Sequence, residues 1–353
     1  MFENIRETIE GWINRDAEQY ILAEIPKERT DLTGADTPLT PMRDYVRIWL
    51  DDMFLAKDKE WFVERFPAVH TTIELKFGGN PVKVTHVTDG TGQVGRGIFT
   101  SYALTDLMPF NGGTVKVQSA LLSLKGKDYA SEAIGILKNF SSLVGAPLSQ
   151  ALLIADKVNA GMQSLLQKGD AGLVLGFHRQ YAADGGGGGA VLKPGYTALI
   201  LASRRDIDPD ILSVKGGKLL YARKNGAPEP VEGFDYMLFR VEGRPERDNW
   251  RMSNIEEPLN QAIQATIRGD QQNADGYLKT ALLVIWQSPD LSVHDRRRVA
   301  DAIKAELAAV AETGHGAVPG ELASLSQIMD ARAMSVKKAM LEPALTLQEI
   351  LAE

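Results

Sequence analysis

The segment Gly90-Thr-Gly-Gln-Val-Gly95 has the spacing most typical of a chemical function in this chain. In a dinucleotide-binding fold, a G-x-G-x-x-G loop brings backbone amides close to a pyrophosphate at the N-terminus of a helix. The alternating stretch Val82–Val87 precedes the loop and predicts the strand that such a fold requires. On this hypothesis the chain is a nucleotide-dependent enzyme whose cofactor-binding residues are Gly90, Gly92 and Gly95.

The residues that follow the loop favour a glycine-rich hairpin turn instead. The segment 96–104 contains Gly97, Thr100 and Ser101, which are poor helix formers. A dinucleotide-binding unit also places an acidic residue about twenty positions further on, whereas residues 116–126 contain none. We therefore expect no cofactor, and nucleotide binding at this loop stays an alternative.

A second polar pattern predicts structure rather than catalysis. Asp206, Asp208 and Asp210 alternate along the chain. A calcium-binding loop needs a glycine at its sixth position and a glutamate at its twelfth, and this segment has neither. Carboxylates of this kind are better suited to capping a short helical turn.

Composition restricts the remaining classes of function. The 353 residues include no cysteine, which excludes disulfides, thiolate nucleophiles and iron–sulfur ligation. No two of the five histidines have a metal-ligand spacing, so we expect no metal site. His86 and His178 are expected to be ordinary, partly buried residues of one sheet. The net charge of −7 opposes phosphate binding, so we expect no nucleic-acid partner. The basic run Arg296–Arg298 is expected to face solvent or a protein.

The sequence favours a cytoplasmic protein. The first residues lack the basic and apolar regions of a signal peptide. The longest uncharged stretch, residues 139–155, contains several polar residues. Its apolar part is therefore shorter than the roughly 20 apolar residues that cross a bilayer as a helix.

Hydrophobic periodicity predicts an α+β fold in three parts. Apolar residues recur at helical spacing over residues 1–25 and 42–66, which predicts an N-terminal helical segment over residues 1–66. Alternating stretches predict a largely antiparallel β-sheet or sandwich domain over residues 67–250. Helical spacing returns in residues 251–353 and predicts a C-terminal helical domain.

The β-rich region is expected to contain an inserted helical hairpin. The predicted strands span residues 72–77, 82–87, 97–104, 114–124, 172–181, 196–202, 218–223 and 236–242. Between them, Asp128–Gln167 shows two amphipathic helical patterns with few charges. Such a hairpin either packs into the core or is stored for later release, and release into a membrane is the second alternative function.

A run of five glycines separates two of the predicted strands. Consecutive glycines have more backbone freedom to lose than other residues, so residues 182–195 are expected to form a long mobile loop. Its flexible centre consists of Gly185, Gly186, Gly187, Gly188 and Gly189.

Capping signals predict the ends of the C-terminal helices. Residues 258–268 and 274–287 show helical spacing and end at a glycine and before Ser-Pro, respectively. Ser292, with Asp295 three residues further on, predicts the start of a long helix that ends at Gly314.

Taken together, the sequence favours a non-enzymatic cytoplasmic protein that binds another protein, within a larger assembly. The reason is that no motif supplies a nucleophile, a metal site or a cofactor loop in its full context. A nucleotide-dependent enzyme using Gly90–Gly95 and a membrane-active effector releasing residues 128–167 stay open. The sequence leaves any small-molecule ligand unspecified.

Overall fold

The computed structural model forms two compact units, one of residues 1–252 and 284–299 and the other of residues 253–283 and 300–353. It describes residues 20–56, 59–60, 63–77, 80–89, 101–125, 171–183, 190–222 and 226–314. The described part of the first unit holds all the described strands, which form antiparallel sheets. Helices occupy the C-terminal half, so the mixed α+β content expected from the sequence is confirmed.

Fifteen strands lie in the described part of the chain. In chain order they are β1 (Ile21–Ile25), β2 (Tyr45–Phe54), β3 (Lys59–Glu60), β4 (Val63–Phe77), β5 (Asn80–Asp89), β6 (Tyr102–Ala103), β7 (Met108–Pro109), β8 (Thr114–Lys125), β9 (Ala171–Ala182), β10 (Ala190–Val191), β11 (Gly195–Ile200), β12 (Leu212–Lys215), β13 (Lys218–Tyr221), β14 (Glu229–Pro230) and β15 (Tyr236–Arg244).

The strands form three sheets. The first has the order β1-β11-β15-β2-β6, and β7 also pairs with β2. The second has the order β10-β9-β8-β4, and both β3 and β5 pair with β4. The third is the small sheet β12-β13-β14. Every described pair is antiparallel except the short pair β9–β10, which agrees with the antiparallel sheet predicted from directly successive strands. The sandwich stays a prediction.

The helix predicted over residues 42–66 is wrong, because most of that segment is strand. Residues 45–54 form β2, and β4 begins at Val63. Val46, Ile48 and Leu50 are fully buried on one face of β2, which is the period-2 pattern of a strand. Large side chains on the other face added apolar positions at helical spacing. The helix predicted over residues 1–25 is also wrong at residues 21–25, which form β1, and residues 1–19 lie outside the described part.

Most of the predicted strands are confirmed. Residues 114–124, 172–181, 196–202 and 236–242 fall in β8, β9, β11 and β15, with ends that differ by a few residues. Residues 72–77 and 82–87 belong to β4 and β5, which pair from Phe77 opposite Asn80 onward. This register makes β4 and β5 consecutive antiparallel strands.

Two apolar cores pack on the two faces of the first sheet. One core combines its side chains with those of the second sheet, and includes Val46, Ile48, Leu50, Val115, Val117, Leu121, Phe177 and Phe239. The rings of Phe177 and Phe239 stack with centroids 5.1 Å apart. The other core lies against the third sheet, and includes Ile21, Ile25, Tyr196, Ile200, Leu212, Val214, Leu219 and Leu238. The third sheet covers only part of this face of the first sheet. The uncovered part carries polar side chains.

Three α-helices follow the strands in the described part: α1 (Ser253–Ile267), α2 (Gln271–Gln287) and α3 (Val293–Gly314). The predicted cap of α3 is confirmed, since the Asp295 backbone N–H donates to Ser292 Oγ at 3.2 Å. Gly269, just after α1, has φ +76°, the left-handed conformation that commonly ends a helix. In the described residues, no helix combines the length and apolar character needed to cross a bilayer.

We predict that Gly243→Ala destabilises the first unit by about 1–3 kcal/mol, as overpacked substitutions do. A Cβ at this position of β15 would overlap Leu39 Cδ2 and lie 3.0 Å from Pro194 Cγ. The matched control is Gly195→Ala in the neighbouring strand β11, where no atom lies within 4 Å of the added Cβ. Urea unfolding of both variants measures the difference, and equal stabilities would contradict the close packing at Gly243.

Candidate functional site

A ladder of charged and aromatic side chains covers one face of β2 and β15. Alternate residues of a strand share a face, so Arg47 and Trp49 lie opposite the apolar face of β2. The register pairs Trp49 with Arg240 and Arg47 with Glu242. Directly opposite residues have their Cβ atoms close enough for side-chain contact. We call Arg47, Trp49, Asp51, Arg240 and Glu242 the polar ladder.

A β-bulge lies at Asp51, which shares its face of β2 with Arg47 and Trp49 by regular alternation. Leu238 pairs with Asp52 and Phe239 with Leu50, so Asp51 is the additional residue in β2. Its carboxylate is 1% exposed and binds Arg240 through two hydrogen bonds, from Nε at 2.5 Å and Nη2 at 3.1 Å. A bidentate pair of this kind is both strong and geometrically specific.

Aromatic side chains fix the position of the Arg240 guanidinium. Its Cζ lies 4.5 Å from the centroid of the Trp49 ring, a cation–π contact. The Arg47 guanidinium also contacts this ring, with Cζ 5.3 Å from the centroid. The Tyr196 hydroxyl binds Asp51, and burial together with this carboxylate raises the pKa of Tyr196 above its usual range. Tyr196 therefore stays protonated and donates a hydrogen bond to the Asp51 carboxylate.

Glu242 is held in its ionised form at the next step of the ladder. It accepts hydrogen bonds from Trp49 Nε1 and from Arg244 Nε, both at 2.5 Å. Burial alone would raise the pKa of Glu242, but these two hydrogen bonds and the charges of Arg244 and Arg47 together outweigh burial, and the pKa is lowered. Arg47 Nη1 lies 3.8 Å from the same carboxylate.

A cavity of about 390 Å³ opens beside the polar ladder. Its floor carries Tyr196, Arg240 and Glu242, and its rim carries Asp31 and the turn Gly216–Gly217 between β12 and β13. Both turn glycines have positive φ, +58° and +73°, as a two-residue type I′ turn requires. The Gly216 N–H donates to Asp31 Oδ2 at 2.7 Å, so the turn and the Asp31 carboxylate are held together.

Asp52 fixes the third sheet against the first beneath this cavity. It is 6% exposed and accepts hydrogen bonds from the Tyr236 hydroxyl at 2.7 Å and from the Leu219 backbone N–H at 3.2 Å. Burial raises the pKa of Asp52 from 3.8 to about 6, although both hydrogen bonds act in the opposite direction. The group is therefore a buried carboxylate that takes up a proton close to neutral pH.

A second polar cluster surrounds Asp295, which is fully buried. Asp295 accepts hydrogen bonds from the Tyr45 hydroxyl at 2.7 Å and from the Arg247 backbone N–H at 3.1 Å, and it also pairs with Arg298 Nε. The Ser292 backbone N–H donates to the Tyr45 hydroxyl at 2.9 Å. The start of α3 is therefore tied to β2 through Tyr45.

Arg247 connects this cluster to the polar ladder. Its side chain is 1% exposed and donates to the carbonyls of Leu107 at 2.7 Å and Asp290 at 3.2 Å. It also forms an ion pair with Asp106 at 2.6 Å, and Arg47 of the ladder lies 3.5 Å from the same carboxylate. A buried charge of this kind must be paired and hydrogen-bonded. Both terminal nitrogens of Arg247 meet that condition, whereas its buried Nε has no hydrogen-bond partner among the described residues.

The sites predicted from glycine patterns lie outside the described residues. These are Gly90, Gly92 and Gly95, the run Gly185–Gly189, and the hairpin over residues 128–167. Nucleotide binding, the mobility of Gly185–Gly189 and the hairpin insertion therefore stay predictions. The mobile loop predicted over residues 182–195 is wrong at its C-terminal end, because Ala190–Val191 forms β10 and Leu192 is fully buried.

The predicted cap at Asp208 is confirmed. Asp208 Oδ1 accepts a hydrogen bond from the Asp210 N–H at 2.9 Å, at the start of a short 3₁₀ helix, Pro209–Ile211. His86 and His178 belong to the same sheet, separated by β4 and β8. No group of three metal-ligating side chains occurs among the residues that the structure describes.

The basic run at residues 296–298 is only partly solvated. Arg297 is exposed, as expected. Arg296 donates to the Ser288 carbonyl at 2.7 Å, and Arg298 donates to the Arg247 carbonyl at 2.9 Å. The two outer arginines therefore hold the loop before α3 and the segment that contains Arg247.

The polar ladder was missed because β2 was predicted to be a helix. The period-2 signal was present, since Arg47, Trp49 and Asp51 alternate with apolar residues. Assigning a strand there would have placed the three side chains on one face. The cross-strand partners from β15 depend on the register, which a single sequence does not specify.

Comparisons with known proteins identify no relative of this chain: no family model, curated protein or solved structure matches it.

We predict that Asp52→Asn removes a pH-dependent component of stability. Because the folded-state pKa is raised from 3.8 to about 6, the folded protein binds more protons than the unfolded chain between these values. The contribution of Asp52 to wild-type stability therefore falls as the pH rises through this window, by on the order of 3 kcal/mol. Asparagine can accept the same two hydrogen bonds without the charge, so the variant gains stability relative to wild type as the pH rises.

Urea unfolding of both proteins across this pH window measures the effect of Asp52. Asp301→Asn is the matched control, because the Asp301 side chain is 68% exposed and its substitution should leave the pH dependence unchanged. A stability difference between Asp52→Asn and wild type that does not vary with pH would refute the prediction.

We also predict that Tyr45→Phe costs about 1–3 kcal/mol, because it leaves the buried Asp295 carboxylate and the Ser292 N–H each without one hydrogen bond. Tyr277→Phe is the control, since the half-buried Tyr277 hydroxyl forms no hydrogen bond with any described residue, and its effect should be within about 0.5 kcal/mol. Chemical denaturation compares the two, and similar small effects would show that Tyr45 does not support the cluster.

Proposed function

We propose that this chain is a non-enzymatic cytoplasmic protein that binds another protein, within a larger assembly, through an exposed apolar patch next to the start of α3. The patch is formed by Met42, Trp286 and Val293, which belong to the first unit. The observation that carries the proposal is the conformation and exposure of Met42.

Met42 is held in a conformation that is costly for a residue with a side chain. Its φ is +66°, in the left-handed region that disfavours a Cβ by roughly 1–2 kcal/mol. Its N–H donates to the Phe110 carbonyl at 2.7 Å, and its carbonyl accepts from the His294 N–H at 3.3 Å. The backbone on both sides therefore imposes this conformation. Strained residues of this kind concentrate at functional sites.

The side chain that this strained backbone carries is exposed to solvent. Met42 is 48% exposed, and Val293, adjacent to the hydrogen-bonded His294, is 43% exposed. Trp286, seven residues before Val293 in the chain, is 49% exposed. An exposed apolar patch favours a contact with another macromolecule, and we propose that Trp286 extends the patch that Met42 and Val293 form. Tryptophan is enriched among the residues that dominate binding energy, and methionine is common on adaptable binding surfaces.

The support beneath the patch is rigid. Tyr45, three residues after Met42, is fully buried and binds both Ser292 and Asp295. These contacts fix the backbone on which Val293 lies. A preorganised surface loses less conformational entropy when a partner binds, so this arrangement supports a binding role more than a mobile patch would.

The sandwich architecture is part of this proposal. Its support is the core shared by the first and second sheets, in which Phe239 of β15 stacks on Phe177 of β9. Face-to-face packing of two antiparallel sheets makes a stable scaffold whose loops and edges are free to carry binding residues.

We predict that Met42→Gly weakens partner binding by about tenfold or more, as loss of an important contact residue does, without loss of stability. Glycine tolerates φ +66°, so relief of strain offsets its greater freedom in the unfolded chain, and stability should change by at most about 1 kcal/mol. The partner is first captured on the immobilised full chain and identified. Calorimetry with the purified pair then gives Kd for wild type and variant.

Two further variants separate the patch from general surface effects. Trp286→Ala should weaken binding as Met42→Gly does. Leu22→Ala should not, because Leu22 is 40% exposed but lies on β1, three strands away from β2 in the first sheet. If the purified partner binds wild type and Met42→Gly with equal Kd, the patch is not the binding surface.

A further inference from the structure

The third sheet is attached to the rest of the first unit by side chains rather than by strand pairing. Its strands have four, four and two residues, and none of them pairs with a described strand of the other two sheets. A small sheet of this kind is marginally stable without support. Because weakly supported elements open locally before the whole domain unfolds, the third sheet is well suited to open by itself.

Three charged side chains hold the backbone of the third sheet. Asp52 of β2 accepts a hydrogen bond from the Leu219 N–H of β13 at 3.2 Å. Asp31 binds the turn between β12 and β13, and Arg29 binds the start of β12. Asp31 is exposed and Arg29 is half-buried, whereas Asp52 is 6% exposed. Asp52 is therefore the attachment at which a change of charge has the largest effect.

The donors that face the Asp52 carboxylate are all neutral. The Tyr236 hydroxyl and the Leu219 N–H both donate to Oδ2, and the backbone N–H of Met53 also favours the ionised form. Burial without a counter-charge favours the protonated form, and it raises the pKa of Asp52 to about 6. A proton on Oδ1 leaves both hydrogen bonds to Oδ2 in place. The ionised carboxylate, in contrast, regains full hydration only when β13 moves away from it.

The charged groups around Asp52 do not supply the missing counter-charge. Lys218 of β13 favours the ionised form, but it is exposed, so solvent and salt screen it. On β2, the neighbouring Asp51 is matched by its bidentate contact with Arg240. Glu232, before β15, acts on Tyr236 and adds only negative charge. The strands β1 and β12 contribute apolar side chains to the core on this face.

The third sheet also borders the cavity of about 390 Å³. Its turn, Gly216–Gly217, forms part of the rim, and Arg240 lies on the floor. The turn packs closely here, since a Cβ added at Gly217 would lie 3.2 Å from Ser101 Oγ and 3.7 Å from the Asp51 side chain. Movement of the third sheet therefore uncovers the ion pair of Asp51 and widens the cavity. The cavity shares no lining residue with the apolar patch of the proposed function, so its role is independent of that function.

We propose that the third sheet is a lid over this cavity, and that protonation of Asp52 holds the lid closed whereas ionisation of Asp52 opens it. In the closed lid Asp52 lies beneath β13, where the neutral carboxyl is favoured. In the open lid water solvates the carboxylate, so the pKa returns to that of an ordinary aspartate. The closed lid therefore binds more protons than the open lid, and a rise in pH favours opening.

The test is amide hydrogen exchange of the full-length protein, followed by mass spectrometry. The two pH values are about 4.5 and about 7.5, between which Asp52 of the closed lid changes from mostly protonated to mostly ionised. After division by the intrinsic rate at each pH, exchange of peptides from residues 212–221 should be about tenfold or more faster at the higher pH. It should also depend less steeply on urea than exchange in β8, because a local opening exposes little surface.

Two variants decide whether Asp52 controls the lid. Asp52→Asn can accept both hydrogen bonds without a charge, so its corrected exchange should change little between the two pH values. Tyr236→Phe removes one donor to the ionised carboxylate and should move the rise in exchange to higher pH. Asp301→Asn, which is 68% exposed on α3, is the control and should keep the wild-type pH dependence.

Three results would overturn the proposal. The first is equal corrected exchange of the lid peptides at both pH values in the wild type. The second is a urea dependence of the lid peptides as steep as that of β8, which would show that they exchange only by global unfolding. The third is an unchanged pH dependence in Asp52→Asn.

Discussion

Charge compensation on strand β2 is the constraint on which the first unit depends. β2 lies inside the first sheet, between β15 and β6, yet it carries Asp51 and Asp52 at 1% and 6% exposure. An isolated buried carboxylate costs far more than a single domain can offset. The surrounding structure therefore has to supply partners for each charge. Arg240 pairs with Asp51, whereas Tyr236 and the backbone of Leu219 serve Asp52.

The two carboxylates meet this constraint in different ways, and the β-bulge makes that possible. Asp51 has a guanidinium partner, Arg240, and forms a bidentate ion pair with it. Asp52 has only neutral donors, so burial raises its pKa to about 6. Neighbouring residues of a regular strand would point to opposite faces. The bulge changes that alternation, so Asp51 and Asp52 lie on the same face. The ion pair of Asp51 lies beside the cavity, and the hydrogen bonds of Asp52 hold the third sheet.

The sequence predicts the positions of the strands better than it predicts the candidate site that they form. Periodicity, glycine and capping signals were sufficient to identify β8, β9, β11 and the start of α3, because these depend on local residues alone. The strand β2 was missed because both of its faces carry large side chains, which mixes the period-2 and period-3.6 patterns. The candidate site was missed for a different reason. Its partners, such as Trp49 and Arg240, are 191 positions apart in the chain and meet only through the register of β2 with β15.

The same pairing connects stability to the cavity and to the apolar patch. Buried ion pairs add little net stability compared with apolar packing, although breaking one is costly. The chain nevertheless carries a series of ion-paired side chains that runs from Asp51 through Glu242 to Asp106 and Arg247. One end of the series forms the floor of the cavity. The other end reaches the loop before α3, through the contact of Arg247 with the Asp290 carbonyl. A hydrophobic replacement could hold the strands together equally well, but it could not present an oriented carboxylate at one end and a fixed helix start at the other. The polar ladder is therefore better explained by the surfaces that it positions than by the stability that it contributes.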